Sequence, residues 1–227
     1  MTDSKFKSIR YTNRWFCYVD LLGFSALVES QRINRVIDTY GEVLDEMELV
    51  AGKNKTGGIY YSWFSDTFIL YSRGAQSDDF ARLESASRIF FQKLILKKIP
   101  ARGAISFGKL YSHLARNIFV GPALIDAYLY GEDQDWLGFL LTPSASLQLD
   151  SIGLSVSQRP FYRPIPKSGI LRKRSPNGVH AYAFNNVGNT RSNPFLKSIR
   201  EMEISVDTKY RDKYKKTVAF LEANQFE

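Results

Sequence analysis

The chain has 227 residues, 44% of them hydrophobic and 14% aromatic, a composition that can bury enough apolar surface to exclude disorder, collagen-like repeats and low-complexity classes. No apolar run approaches the roughly 18 residues of a membrane span, and the polar start Met1 to Arg10 is unlike a secretory signal, so the cytoplasm is the expected compartment. The formal net charge of +8 lies in the C-terminal third, where 14 Lys and Arg face 6 Asp and Glu from Arg159 onward, while the first 158 residues balance at 17 against 17. These cations alternate with acids and lack interleaved aromatics, so stable binding to nucleic acid or a membrane surface is not expected. Cys17 is the only thiol, and His113 and His180 are the only imidazoles. That excludes an intrachain disulfide and a Cys/His zinc site, and leaves carboxylates, cations and hard metal ions as the available chemistry.

In chain order, Trp15 to Leu21 is aromatic and β-branched and predicts a buried strand that carries Asp20 near its end and an inert Cys17. A helix should start near Ser25 and end before the turn Gly52 to Gly58, because Ile33, Val36, Ile37, Tyr40, Val43, Leu44 and Met47 repeat at helical spacing. Ile59 to Phe64 and Thr67 to Tyr71 predict a hairpin turning at Ser65-Asp66. Ser77 can cap a second helix, with Asp78 and Asp79 in its first turn and Leu83, Ala86, Phe90 and Leu94 on its core face. After Pro100, Ala101 to Phe107 and Lys109 to Ser112 predict a second strand pair pivoting at Gly108. A third helix is expected from Val120 to Tyr130, with Pro122 in its first turn. Arg159 to Gly178 holds four prolines and predicts a loop or loosely paired arm, His180 to Phe184 a strand, and Pro194 to Phe220 one or two helices. The order predicts an α+β fold: a ferredoxin-like antiparallel sheet covered by helices on one face, spanning 1–188, with a basic helical extension over 189–227.

Two positions carry chemistry. Asp20 precedes the glycine turn Leu22-Gly23-Phe24-Ser25 that opens a helix, where free backbone N–H groups suit phosphate. Asp66 is a lone carboxylate among aromatic neighbours, where an unpaired charge is costly. Two such strand-end aspartates on neighbouring strands can share a pair of divalent cations about 3.5 to 4 Å apart, the arrangement for in-line displacement at phosphorus. A helix cap and a turn aspartate are the structural alternatives.

Val19-Asp20-Leu21-Leu22-Gly23-Phe24, Phe64-Ser65-Asp66, Arg102 to Lys109 and Phe119 to Tyr128 together resemble, in order and spacing, the class III nucleotidyl cyclases over about residues 14 to 184. The resemblance implies that Asp20 and Asp66 are the metal-binding, catalytic aspartates, that Leu21 adds a backbone carbonyl, and that the metals are two Mg²⁺ or Mn²⁺ ions per site. It further implies that Gly23, Phe24 and Ser25 cradle the triphosphate with Lys109, and that Arg102 either joins them or is structural. It departs at the positions that read a purine, here Ser62 and Ile118, and at the transition-state asparagine and arginine, here Ile125 and Leu129. Arg116, Tyr128 and the Arg172-Lys173-Arg174 cluster are candidate replacements.

Intact metal aspartates without purine readers resemble the pyrimidine cyclases of bacterial antiphage defence, the Pycsar type. Period-two alternation puts Tyr60, Ser62 and Phe64 on one strand face, where bulky aromatics would shrink a base pocket toward a pyrimidine or simply pack a core. The implied activity is conversion of UTP, less readily CTP, to the 3′,5′-cyclic monophosphate. The implied partners are a second copy, in a homodimer with active sites at the interface, and a separate cyclic-nucleotide-binding effector. A catalytically degenerate nucleotide-binding module is the alternative.

Overall fold

The computed structural model describes residues 11–29, 34, 37, 38, 40–42, 44, 45, 58–159, 161–184 and 193–224, the side chains of 26–28 excepted. Most of the helix expected between Ser25 and Gly52 lies outside them. The strands are β1 Thr12–Leu21, β2 Ile59–Phe64, β3 Thr67–Ser72, β4 Ala101–His113, β5 Ile118–Val120, β6 Phe139–Leu141, β7 Tyr162–Pro164 and β8 His180–Tyr182. The α-helices are α1 Phe24–Glu29, α2 Ser77–Leu96, α3 Pro122–Asp133, α4 Pro143–Ser151, α5 Pro194–Ser205 and α6 Arg211–Ala223. Among the described residues no helix is long and apolar enough to cross a membrane.

The sheet runs β2-β3-β1-β4-β6-β8-β7, with β5 folded back on the far end of β4. It is mixed rather than wholly antiparallel. β6 pairs parallel to β4, because the chain leaves β4, turns through β5 and crosses over as α3 before re-entering the sheet. The pivot expected at Gly108 is absent: β4 is one strand of 13 residues held in unbroken register against all of β1, Thr12 opposite Leu110 and Leu21 opposite Ala101. Gly108 faces α3, where a Cβ would be in ordinary van der Waals contact with Ala123.

Alternation along β1 decides what each face buries. Trp15, Cys17, Val19 and Leu21 point into the main core with Phe80, Leu83, Ala86, Phe90 and Leu94 of α2. Burial pushes the Cys17 thiol up to about 12, as expected of an inert cysteine. Phe16 and Tyr18 point the other way, into a second cluster with Tyr71, Leu110 and the small residues Ala123 and Ala127 of α3. Helices therefore cover both faces rather than one. The cap of α2 falls at Gln76, one residue before Ser77, with the Asp79 carboxylate accepting from the Gln76 N–H at 3.0 Å. The last segment forms two helices, and Phe195, Leu196, Ile199, Met202, Tyr214, Phe220 and Leu221 bury it in the main core. β5, β6 and α4 lie outside the expected elements, and β7 is the paired part of the arm expected over Arg159 to Gly178; strands of three residues carry no readable period.

Candidate active site at the end of the central strands

Three antiparallel strands end together. Asp20 of β1 lies opposite Thr67 of β3 on one side and Arg102 of β4 on the other. The tight β2–β3 turn, with Ser65 at φ 56°, carries Asp66 to the same end, where its carbonyl accepts from the Leu21 N–H at 3.0 Å. Asp66, 46 positions after Asp20 in the chain, is thus bonded through the backbone to Leu21, the residue after Asp20, and precedes Thr67, the strand partner of Asp20. Beyond Asp20 the chain is fixed by Leu22 N–H donating to Pro100 O at 2.8 Å, and Gly23 turns it at φ +73° into α1, whose first residues are Phe24 and Ser25.

Asp20 is buried, and burial raises its pKa to about 6, against the pull of Arg102 and with added repulsion from Glu132 and Asp66. Arg102 Nε donates to Asp20 Oδ2 at 2.9 Å. The rest of that guanidinium is taken by the C-terminal end of α3: Nη1 donates to Glu132 O at 2.8 Å and to Gln134 O at 3.3 Å, and Nη2 to Glu132 Oε2. The Tyr18 hydroxyl, on the Asp20 face, donates to Glu132 Oε1 at 2.8 Å. Glu132, Gln134 and Tyr18 escaped sequence reasoning. Tyr18 was within reach, two positions before Asp20 and hence on its face; Glu132 was not, because only the docking of α3 brings it there.

Other anticipated residues divide by sheet face. Pairing of Tyr60 with Tyr71 and Phe64 with Thr67 sets Tyr60, Ser62 and Phe64 on the Asp20 face. Tyr60 stacks on Tyr71, ring centroids 5.2 Å apart, and packs the second cluster, whereas Phe64 is 77% exposed. Ser62 Oγ donates to Asn117 Oδ1 at 2.6 Å, which ties Ser62 to the residue before Ile118. Lys109 is different: opposite Asn13, in register with Trp15–Phe107, it belongs to the other face, its ammonium 5.8 Å from the Tyr11 ring. The unbroken β1–β4 register is what separates it from Asp20, and Arg102 is the cation that β4 supplies on the Asp20 face.

The candidate replacement groups also separate. Tyr128 lies edge-on to Tyr18 at 5.5 Å, on the site face, while Arg116 is exposed in the turn before β5. In the basic arm, Lys173 N–H and Arg174 N–H donate to the Asp133 carboxylate, and Arg172 Nη2 to Glu132 O, so two guanidiniums meet at one carbonyl at the end of α3. Lys213 of α6 joins this group; burial first, then the charges of Arg102, Arg172 and Lys216 opposing Asp135, hold its pKa below the usual lysine range.

Among the described residues no group of three or more His, Cys, Asp or Glu side chains is placed to hold a metal ion. Two carboxylates and a backbone carbonyl suit Mg²⁺ or Mn²⁺, which take one or two protein carboxylates and complete their shell with phosphate oxygens and water. The donor set fits a divalent cation whose remaining positions are filled by water or phosphate oxygens.

This fold is the fold of class III nucleotidyl cyclase catalytic domains, to which the structure is similar at low sequence identity. The catalytic core of a rhodopsin-guanylyl cyclase with converted specificity, solved with ATPαS, superimposes with a TM-score of 0.53 at 12% identity, covering 76% of this chain and 96% of that one. The guanylate cyclase domain of RhGC from Catenaria anguillulae, solved with GTP, gives 0.53 at 14% identity over 76% and 95%. An adenylate/guanylate cyclase/hydrolase from Silicibacter pomeroyi gives 0.53 at 14% over 76% and 97%. No protein-family model matches the chain, and no curated protein matches it.

Proposed function

We propose that the chain is a divalent-cation-dependent nucleotidyl cyclase that converts a pyrimidine nucleoside triphosphate, UTP before CTP, to the 3′,5′-cyclic monophosphate and pyrophosphate. The observation that carries the reading is the meeting of Asp20 and Asp66 at one end of adjacent central strands, on a fold shared with structures solved with GTP and ATPαS. Asp20, Asp66 and the Leu21 carbonyl would hold two Mg²⁺ or Mn²⁺ ions, which lower the pKa of a ribose hydroxyl and neutralise the triphosphate. The 3′-oxygen forms a bond to the α-phosphorus as the bond to the pyrophosphate oxygen breaks, and the hydroxyl proton leaves to solvent. Gly23, Phe24 and Ser25 turn backbone N–H groups toward the phosphates. Ser62, bonded to Asn117, and the neighbouring Ile118 would line the base pocket with the exposed ring of Phe64, and neither offers the polar pattern that reads a purine.

Exposed apolar side chains at Phe64, Ile118, Val120, Ile125 and Tyr128 support a homodimer with active sites at the interface. By resemblance to the Pycsar type, the product is a second messenger of antiphage defence, read by a separate cyclic-nucleotide-binding effector. One observation favours a second reading, a nucleotide-binding module without turnover: exposed Ile125 and half-buried Leu129 stand where the family's transition-state pair would be.

Incubation of the purified chain with each of the four nucleoside triphosphates and Mn²⁺, with product separation, tests both. Cyclic UMP is expected, with Asp66→Ala lowering the rate by at least about a hundredfold while the melting transition is kept. Nucleotide binding without conversion of any triphosphate would establish the second reading.

A further inference from the structure

The Arg102 guanidinium is 7% exposed as a residue and four of its five N–H groups are already bonded within the chain, to Asp20 Oδ2, Glu132 Oε2 and the carbonyls of Glu132 and Gln134. A cation so committed has one donor left for a phosphate. Its fork is held by Glu132, whose second carboxylate oxygen is in turn fixed by the buried Tyr18 hydroxyl. Held in this way, Arg102 meets Asp20 through Nε alone and at Oδ2, a single-donor contact rather than the two-oxygen fork that a free guanidinium would make with a carboxylate.

We propose that Glu132 is a positioning residue for the Asp20–Asp66 site: it keeps Arg102 as a fixed counter-charge touching one oxygen of Asp20, which leaves Asp20 able to bind a divalent cation. The proposal rests on the cyclase reading for the identity of the cation, and it gives Arg102 a role in place of the expected one in substrate binding. With the Glu132 charge removed, Nη2 loses its carboxylate partner while Nη1 stays on the Glu132 and Gln134 carbonyls, and the freed Nη2 can join Nε in a two-oxygen fork on Asp20, in direct competition with the metal. Outer groups that orient a ligating side chain commonly change metal affinity by about 10- to 100-fold.

Mn²⁺ alone is titrated into the full chain and free Mn²⁺ is followed by its paramagnetic resonance signal; turnover of UTP is measured in parallel against Mn²⁺ and against UTP. Glu132→Gln and Arg102→Lys are each expected to weaken Mn²⁺ binding by about tenfold or more, and to raise the Mn²⁺ concentration for half-maximal turnover by the same factor. The KM for UTP at saturating Mn²⁺ is expected to stay within about twofold of wild type. Unchanged Mn²⁺ binding with a raised KM would overturn the proposal and return Arg102 to the substrate. Should Glu132→Gln lose its cooperative melt, Tyr18→Phe, which loosens only one oxygen of Glu132, is expected to weaken Mn²⁺ binding about threefold, and no change there is equally fatal. If wild type binds Mn²⁺ and the variants weaken it, yet no triphosphate is converted, the cyclase reading fails and the positioning role stands; a wild type that binds no Mn²⁺ sinks the positioning role.

Discussion

Asp20 shows how much a single carboxylate can be asked to do by its surroundings. Its pKa in the folded chain, about 6, lies above the ordinary 3.8, so the folded state holds the proton more tightly than the unfolded one. The cost of the buried charge is absent below about pH 4, grows between pH 4 and 6, and is complete above 6, so this group makes the fold less stable as pH rises through that window. Asp20→Asn should therefore be inert as an enzyme yet more stable than wild type by about 1–3 kcal/mol at pH 7.5 in EDTA, with the gap closing near pH 4 in denaturant titrations. The same ionisation sets metal binding. Mn²⁺ affinity is expected to fall with decreasing pH below about 6, and a profile flat down to pH 4.5 would contradict the placement of Asp20 beside the metal.

At the scale of elements, α3 is the piece that makes the site whole, since it delivers Glu132 and the Gln134 carbonyl to Arg102. It can lie so close to the central strands because Gly121 and Gly131 have no Cβ, and at Gly131 an added one would stand 2.5 Å from the Tyr18 ring. At Gly121, φ is +154° and an added Cβ would stand 2.2 Å from Lys109 O and 2.9 Å from Leu110 Cα, both backbone atoms that cannot swing away. Gly121→Ala should cost about 2–4 kcal/mol in stability, read by thermal or denaturant unfolding, and should lower activity even in the fraction that folds, because α3 must back off from the sheet. The turn of β2–β3 has the complementary task. Its two residues hold Asp66 against Leu21, whose N–H donates to the Asp66 carbonyl.

For the molecule as a whole, the exposed apolar side chains Phe64, Val120, Ile125 and Tyr128 are the ones that the proposed dimer would bury. Ile125→Asp places a charge there, and sedimentation or light scattering is expected to show monomers together with loss of turnover. If metals come from one subunit and the base pocket from the other, Asp66→Ala and Ile118→Asp chains, each inactive alone, should restore activity when mixed. Random pairing of equal amounts predicts about a quarter of wild-type turnover, since half the dimers would carry one intact site. No recovery on mixing, with dimers present, would confine each site to a single chain.

The motif residues themselves settled a good deal. Asp20 at a strand end, the Ser65-Asp66 turn, the apolar rows of β1 and α2 and the proline-led start of α3 were all legible, because local periodicity and turn chemistry fix them within a few residues of chain. Which face a side chain takes beyond such a window is set by strand register, and the register of β4 against β1 moved Lys109 away from Asp20 and made Arg102 the cation of the site. The parallel return of β6, the second covered face and the burial of α5 and α6 likewise depend on contacts between segments far apart in the chain. Glu132 is the clearest case: nothing within ten residues of it hints at Asp20, and it belongs to the site only because two glycines let a helix settle onto the central strands.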